Sequence, residues 1–263
     1  MPFVLLQILV IPLLATLMIF LGRKSLGYAA GWVAALAMSY TTILVVSVGF
    51  TVHRGDPLSE TYLLIAPGIH LGLLADGLSL PTLAIVCFLC TVLAFYSIRY
   101  MAQRVEVLYA EESKDVRRSY YVRFFYLFPL FPVGFIGTIL STNLVSIYFF
   151  LEVLTLPLFF LMASFGYRDG VKVAFVSLSG GIIGALLFLV AALMVYSQIQ
   201  SLEVHALGEL AGNPLVVGII SVFLLSLIMK LALFPFHVWM PSVLSLIHIS
   251  EPTRRTPISY AVF

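Results

Sequence analysis

The stretch that decides the fold is STNLVSIYFFLEVLTLPLFFLMASFGY, residues 141–167. Its apolar run from Leu144 to Phe165 is long enough for an α-helix to cross a hydrocarbon core of roughly 30 Å. Similar runs recur along the chain, and helices are favoured because they satisfy their backbone hydrogen bonds internally in lipid. The sequence therefore predicts an all-α, polytopic transmembrane helix bundle with seven spans: Val4–Leu21, Tyr28–Phe50, Leu78–Tyr100, Phe124–Leu140, Leu144–Phe165, Val173–Tyr196 and Leu215 to about Pro241.

The composition of the whole chain leads to the same class of protein. Of its 263 residues, 62% are hydrophobic and only 10% are charged, and the mean hydropathy is +1.11. These values lie outside the range of soluble globular domains, so the sequence predicts an integral membrane protein. The first span has no basic region before it and no small-residue cleavage site after it, and we interpret it as a retained helix and not a signal peptide.

Basic residues are concentrated on alternate connections between the spans, which predicts the orientation of the chain. If the amino terminus is outside, the outer connections hold only Arg54. Such asymmetry follows the positive-inside rule. The inner loops and helix ends then hold ten of the fourteen basic residues: Arg23, Lys24, Arg99, Arg104, Lys114, Arg117, Arg118, Arg123, Arg168 and Lys172.

The remaining polar connections and the cysteines indicate little chemistry. Residues 51–77 predict an irregular outer loop, and residues 103–123 are compatible with a short surface helix, a docking patch or a solvated loop. We interpret Cys87 and Cys90 as small apolar residues of the third span rather than as a redox pair. The sequence has no Cys/His cluster with metal spacing and no glycine-rich phosphate loop, so we expect no cofactor and no metal on this chain.

Glu152 lies near the middle of the decisive stretch, nine residues into its span. At about 1.5 Å per residue, this position falls close to the middle of the membrane. An isolated ionised carboxylate there costs several kcal/mol, so Glu152 must be protonated, paired or hydrated. Each of these states suits ion conduction. The alternative is a buried glutamate that only ties helices together.

A cation lies at membrane depth in the seventh span. Lys230 is about fifteen residues into that span, and Pro235 removes a backbone donor five residues later, which predicts a break near Leu231. Broken helices at this depth are tolerated only against protein or water-filled cavities. A movable carboxylate beside Lys230 could set whether the lysine holds its proton. The alternative is a lysine whose ammonium group reaches the membrane interface.

Lys172 and His237 are two further candidate residues. His237 follows Lys230 by seven residues, and a histidine can pass protons near neutral pH, although a histidine beside aromatic residues is often structural. Lys172 stands at the start of the sixth span. There it is compatible with a flanking anchor or with a position between Glu152 and Lys230.

The sixth span also carries a face of small residues, Gly180, Gly181 and Gly184. Small residues let neighbouring helices approach closely, and this is the interpretation that we favour. Glycines also permit helix breaks near ion paths, which is the alternative.

Three motifs carry a resemblance that covers the chain from Met1 to Pro241. They are LLADGLSLP at residues 73–81, STNLVSIYFFLE at residues 141–152 and KLALFPFHVWMP at residues 230–241. As a set they resemble the antiporter-like, proton-pumping membrane subunits of respiratory complex I, a family with relatives in multisubunit cation/proton antiporters and membrane-bound hydrogenases. The spacing from Glu152 to Pro157 is similar to that of subunit M, also called NADH dehydrogenase subunit 4.

The resemblance implies a parent fold of about fourteen spans, built from two inverted repeats that each contain a discontinuous helix. The seventh span would be the discontinuous helix of the first repeat. In that family, the residues matching Glu152 and Lys230 form the ion pair of a proton channel. The lysine matching Lys172 links this pair to the next part of the path, and the histidine matching His237 belongs to the relay.

The function that the resemblance implies is proton translocation by a non-redox subunit of an NADH:quinone or similar oxidoreductase, which would make the chain part of a translocating enzyme. NADH and quinone would bind only to other subunits. The expected partners are those membrane subunits and the lipid bilayer of a prokaryotic plasma membrane, and not nucleic acid. A subunit of a multisubunit cation/proton antiporter or of a membrane-bound hydrogenase is the alternative, and a structural membrane scaffold is a further one.

The chain departs from the family pattern near its carboxyl end. Ala232 stands where many subunits M have proline, and Ser242 and Val243 stand where the family continues with an acidic segment. From Leu244, the string LSLIHISEPTR resembles the translation of a sequencing-library adapter. We therefore expect three parts: residues 1–122 with the first three spans and the charged inner loop, residues 123–243 with the first part of the translocating domain, and residues 244–263 as a non-native tail.

Overall fold

The computed structural model describes residues 3–53, 55, 57–66, 69–166 and 170–235. Within these residues the chain forms eight α-helices and one antiparallel hairpin. The helices are α1 Val4–Leu21, α2 Ala29–His53, α3 Ser79–Leu108, α4 Lys114–Leu127, α5 Leu130–Leu140, α6 Leu144–Phe165, α7 Gly170–Ile199 and α8 Val216–Lys230. The hairpin consists of β1 Leu58–Ala66 and β2 Ile69–Ala75, and a short 3₁₀ helix covers Val204–Leu210.

Long apolar helices dominate the fold, as predicted. Helices α1, α2, α3, α6 and α7 are each long and apolar enough to cross a membrane, and α4 and α5 together form a sixth candidate span. Helix α8 is apolar but has only 15 residues. Large apolar side chains such as Leu36, Ile43 and Phe88 are exposed on the outside of the bundle, where a membrane protein meets lipid. The chain is a multi-pass membrane protein.

The arginine-rich connections meet at one end of the bundle, because successive helices run in opposite directions. Arg118 Nη2 in α4 donates a hydrogen bond of 2.9 Å to the Ser25 carbonyl, between α1 and α2. The Tyr109 hydroxyl, just after α3, donates a hydrogen bond of 2.6 Å to the Ser164 carbonyl, near the end of α6. These contacts bring together the connections that the charge asymmetry assigned to one side of the membrane.

Residues 103–123 are mostly helical, which corrects the predicted bounds of the third and fourth spans. Helix α3 continues into this segment, and α4 already begins at Lys114, where the Ser113 hydroxyl accepts a hydrogen bond of 3.4 Å from the Val116 N–H. Serine is a favoured residue at this capping position. The predicted fourth span, Phe124–Leu140, is divided between α4 and α5. The interruption lies at Pro129, since proline lacks the N–H that would continue α4.

The hairpin replaces the irregular loop predicted for residues 51–77, and that prediction is wrong. Backbone hydrogen bonds connect the hairpin to distant residues: the Thr142 N–H donates to the Gly72 carbonyl at 3.2 Å, and the Val204 N–H donates to the Thr142 carbonyl at 2.8 Å. The stability of a strand depends strongly on such neighbours. The two strands also pair with each other across only two residues. The signal that the loop prediction missed was therefore local: two apolar runs on either side of Pro67 and Gly68.

Asp76 determines where α3 begins. Its Oδ1 accepts hydrogen bonds from the N–H groups of Leu78 at 3.0 Å and Ser79 at 2.7 Å, and its own N–H donates to Ser79 Oγ at 2.8 Å. These bonds satisfy donors that the first turn of a helix leaves free. The hydrogen bond from the Ser79 backbone is the main cause that lowers the pKa of Asp76 from its ordinary value of 3.8. The LLADGLSLP motif therefore acts as a helix start.

Asp76→Ala should lower the stability of the folded protein by about 1 kcal/mol, because it removes the acceptor of the Leu78 and Ser79 N–H groups at the start of α3. Since the folded pKa of Asp76 is lowered, this contribution is present above the ordinary carboxyl pKa and is lost as the pH falls through the folded value. Thermal unfolding in detergent at neutral pH measures the change. Glu111→Ala, in the exposed connection after α3, is the control; equal effects of the two substitutions would contradict the capping role.

Candidate functional site

Asn143 determines where α6, the helix that carries Glu152, begins. Asn143 is fully buried, and its Oδ1 accepts a hydrogen bond of 2.8 Å from the Ser146 N–H, as an N-cap does. Its Nδ2 donates to the carbonyl of His70 in β2. One side chain thus starts the helix and ties it to the hairpin. It thereby sets the depth of Glu152, which is half-buried nine residues into α6.

Glycines bring α5 and α7 close to α6. A Cβ at Gly134 of α5 would lie 2.9 Å from the backbone nitrogen of Leu154, and a Cβ at Gly181 of α7 would lie 2.8 Å from Thr155 Cγ2. Both distances are shorter than real Cβ contacts, so a side chain at either position would push the helices apart. This is the close packing that small residues allow between membrane helices.

Gly184 gives α8 a similar close approach to α7. A Cβ there would lie 3.1 Å from the Ser226 carbonyl oxygen and 3.2 Å from the backbone nitrogen of Lys230. The Ser226 hydroxyl donates a hydrogen bond of 2.7 Å to the Gly184 carbonyl, which fixes the two helices relative to each other. Gly181 and Gly184 are three residues apart on one face of α7. The packing interpretation of the predicted small-residue face is therefore confirmed at these two glycines.

Helix α8 ends at Lys230, which confirms the break that the sequence predicted. The ending is a Schellman motif, in which the Leu233 N–H donates to the Ile228 carbonyl at 2.9 Å. Ala232 takes the left-handed conformation that this motif needs, with a φ of 50°. Proline is locked at a φ of about −65° and could not adopt this conformation. The way the helix ends therefore excludes, at position 232, the proline of the subunit M pattern.

The Lys230 ammonium lies against α6, with Thr155 as its direct partner. Lys230 Nζ donates a hydrogen bond of 3.1 Å to Thr155 Oγ1, and the Thr155 hydroxyl donates its own proton to the Leu151 carbonyl at 2.9 Å. Glu152 is one turn away on the same helix and lies within electrostatic range of Lys230. The fold therefore brings Glu152 and Lys230 to the same place, between α6 and α8.

Thr155 is a site residue that the sequence patterns did not reveal. It follows Glu152 by three residues, so the helical repeat places both on one face of α6. That spacing was the available signal, but a threonine inside an apolar helix usually bonds only to its own backbone. The second role of Thr155 depends on α8, which lies 75 residues further along the chain.

The two other predicted residues are not seen in this cluster. Lys172 is exposed in the first turn of α7, at the arginine-rich end. It precedes Gly184, which packs against Lys230, by twelve residues or about 18 Å along the helix axis. In the described part of the chain, Lys172 therefore does not lie between Glu152 and Lys230. His237 lies outside the described residues.

Two family models match the parts of the chain that form this site and its supports. Residues 141–254 match the model for the transmembrane region of NADH:quinone oxidoreductase/Mrp antiporter, and residues 56–109 match the model for the N-terminus of chain 5 of NADH-ubiquinone oxidoreductase, complex I. The chain belongs to the antiporter-like membrane subunits. The three sequence motifs thus resembled the right family.

The curated relatives of this antiporter-like subunit are named as antiporter subunits. The mnhA2 proteins of Staphylococcus aureus strains USA300 and JH9 are each 29% identical to it over 252 residues. The match covers 93% of this chain and 30% of each relative. The antiporter-like subunit described here therefore spans about a third of the length of the curated relatives that it matches.

Solved structures share the fold. The Mrp complex from Dietzia sp. DQ12-45-1b matches with a TM-score of 0.70 at 19% identity, over 93% of this chain and 45% of that chain. The membrane-bound sulfane sulfur reductase, described as an archaeal respiratory membrane complex, matches with a TM-score of 0.66 at 20% identity, over 91% of this chain and 47% of that chain. At these identities the likeness concerns the fold alone.

The relatives correct the expected enzyme class. The prediction of a translocating enzyme subunit of an NADH:quinone oxidoreductase is wrong, because the curated relatives are named antiporter subunits and the first of these structures is an Mrp complex. The spacing from Glu152 to Pro157, which favoured subunit M, did not separate the two branches. A buried carboxylate followed by a proline is a feature of one helix, and a helix of this kind can serve in either assembly.

Gly184→Leu should displace α8 from α7 and cost roughly 1–3 kcal/mol of stability, the usual range for overpacking. The new side chain would enter space held by the Ser226 carbonyl and Lys230. Gly218→Leu is the matched control, since Gly218 is exposed, nothing lies within 4 Å of a Cβ there, and leucine favours the helix. Thermal unfolding of the two variants measures the difference. If both variants unfold like the unmodified protein, the close approach of α7 and α8 is unnecessary.

Proposed function

We propose that this chain is part of the ion-translocating subunit of a multisubunit cation/proton antiporter, in which Lys230 accepts and releases the transported proton. The observation that carries the proposal is the 3.1 Å hydrogen bond between Lys230 Nζ and Thr155 Oγ1, one turn from Glu152 in a bundle of apolar helices. The antiporter names of the curated relatives support it. The proposed location is a prokaryotic plasma membrane, with the amino terminus outside.

The partners of Lys230 explain how its proton could be controlled. A cation in a membrane bundle is costly unless protein oxygens replace water around it. Thr155 is a neutral partner that accepts from the lysine, since its own proton is committed to Leu151. Glu152 offers a charged partner on the same face of α6. Movement of the ammonium between Thr155 and Glu152 would change how firmly Lys230 holds its proton, which is the property that a proton carrier needs.

A proline inside α6 and the end of α8 offer a route to and from this lysine. Pro157 in α6 removes the N–H that would normally bond the Val153 carbonyl, which leaves an acceptor next to Glu152. The end of α8 at Lys230 interrupts the apolar helix at the point where the proton is held. In the proposed path, Lys172 exchanges protons at the arginine-rich end of the bundle, and His237 takes the proton beyond the end of α8.

A subunit of a respiratory membrane complex is the second candidate function. The observation that favours it is the fold shared with the sulfane sulfur reductase complex, with a TM-score of 0.66. Vesicles that contain the assembled complex distinguish the two functions. An antiporter exchanges cations for protons without an electron donor, whereas a respiratory complex moves ions only when its donor and acceptor are added. A structural scaffold would tolerate the loss of both Glu152 and Lys230.

Lys230→Ala in the full-length protein should nearly abolish proton transport and leave assembly intact, because it removes the proposed proton carrier. Collapse of a pH gradient across membrane vesicles on addition of cations measures transport. Lys24→Ala, which removes an exposed lysine between α1 and α2, is the matched control and should transport normally. Normal transport by Lys230→Ala would refute the proposed function.

Thr155→Val should shift the pH of half-maximal transport by roughly one to two units. A hydrogen bond to a charged group contributes about 1.5–3 kcal/mol, and one pH unit corresponds to about 1.36 kcal/mol. Valine keeps the shape of the side chain beside Gly181, so packing is preserved. Thr155→Ser keeps the hydroxyl and should restore the original profile. An unchanged profile in Thr155→Val would show that this hydroxyl does not hold the ammonium.

A further inference from the structure

A pocket of about 340 Å³ lies at the arginine-rich end of the bundle, where α2 begins, α3 ends and α4 begins. Its volume falls within the range of pockets that hold small ligands, roughly 300–1,000 Å³. The cations that line it are Lys114, Arg117 and Arg118, and two tyrosines, Tyr28 and Tyr121, stand beside them. The pocket takes no part in the contact between Lys230 and Thr155.

The arrangement of charges in the pocket favours an anion. Arg117 and Arg118 are half-buried, whereas the carboxylates that also line the pocket, Glu106 and Asp115, are exposed. Arg118 is already held in place by its hydrogen bond to the Ser25 carbonyl. The two arginines therefore lie deeper in the pocket, and Lys114 stands at its rim with the carboxylates.

Arg117 presents a donor that lacks an acceptor. Its Nε is buried and has no hydrogen-bond partner among the described residues. A buried N–H without an acceptor is costly and rare in folded proteins. Because Arg117 also lines the pocket, an acceptor supplied by a ligand would satisfy this donor.

The depth of the pocket corresponds to the headgroup layer of a membrane. Tyr96 and Tyr100 are exposed on α3, with their rings stacked at 5.4 Å, and exposed aromatic residues of this kind mark the membrane interface. The α3 residues that line the pocket, Ala102 to Glu106, lie about 3–9 Å beyond Tyr100 along the helix. The headgroup layer extends roughly 5–8 Å beyond the hydrocarbon core.

We propose that this pocket binds a phosphate group, carried by an anionic phospholipid headgroup or free in solution, with Arg117 as the anchoring cation. A phosphate supplies several acceptor oxygens, one of which would satisfy the Arg117 Nε–H. Its negative charge is balanced by Arg118 and Lys114. The planar guanidinium of arginine matches phosphate geometry better than a lysine ammonium does. The site is separate from the proposed proton path and does not depend on it.

Lipid retention by the assembled full-length protein tests the proposal. The protein is placed in nanodiscs of phosphatidylcholine and phosphatidylglycerol, and the lipid that stays bound after extraction is counted by native mass spectrometry. Arg117→Gln should lower phosphatidylglycerol retention about tenfold, the factor expected for loss of one hydrogen bond to a charged group. Arg99→Gln is the matched control. It removes the same charge from an exposed position on α3 outside the pocket and should leave retention unchanged.

A second variant and a phosphate arm complete the experiment. Lys114→Gln should also lower retention. Because Lys114 is exposed, this variant keeps the test usable if Arg117→Gln fails to fold. In the parallel arm, inorganic phosphate is added and thermal unfolding is measured. Selective retention of phosphatidylglycerol that Arg117→Gln loses supports the lipid headgroup as the source. Stabilisation by inorganic phosphate that Arg117→Gln loses, without lipid selectivity, supports free phosphate.

Three results would overturn the site. Equal loss of retention in Arg99→Gln would reduce the effect to general surface charge. Unchanged retention in Arg117→Gln and Lys114→Gln, with no effect of phosphate, would show that the pocket binds no phosphate group. A carboxylate from a neighbouring subunit found in the pocket in a structure of the assembled complex would replace phosphate with a protein contact.

Discussion

A protonated amine inside a bundle of apolar helices must find oxygen atoms, and the arrangement of α6, α7 and α8 satisfies this requirement. Lys230 meets it through Thr155, and it reaches Thr155 only because Gly181 and Gly184 let the three helices approach closely. Lipid chains are as apolar as the helix surfaces, so helix association in a membrane depends on this kind of close packing and on hydrogen bonds between helices. The glycine face of α7 therefore supports the site as directly as the charged residues do.

The end of the bundle away from the arginine-rich connections holds α6 at a fixed depth. Asn143 caps the helix and bonds to β2, while Thr142 pairs with both the hairpin and the connection that follows α7. Glu152 can face Lys230 only while α6 keeps its position along its own axis. A hairpin far from either charge thus contributes to the geometry between them. Asp76 has a similar role on the other side of the hairpin, because it starts α3 directly after β2.

The residues identify the family more firmly than its branches. In this chain, a capped helix start, a carboxylate within an apolar helix and a lysine at a helix break meet physical requirements that do not distinguish an antiporter from a respiratory membrane complex. Motifs that reflect these requirements resembled both branches, and the choice of subunit M rested on one spacing within a single helix. The relatives match 93% of the chain, and they favour the antiporter branch.

Local properties of the sequence were sufficient for α1 and α6, whose predicted bounds agree residue for residue with the structure, because length and hydropathy are properties of one segment. They were also sufficient to single out Glu152 and Lys230, since the cost of a charge in lipid depends on one residue and its depth. The attachment of the hairpin to Thr142, the Thr155 hydroxyl as the partner of Lys230 and the pocket around Arg117 were decided only by the tertiary structure. Each of these arises from contacts between segments far apart in the chain, and a hydrogen bond across 75 residues leaves no trace in the local pattern of either segment.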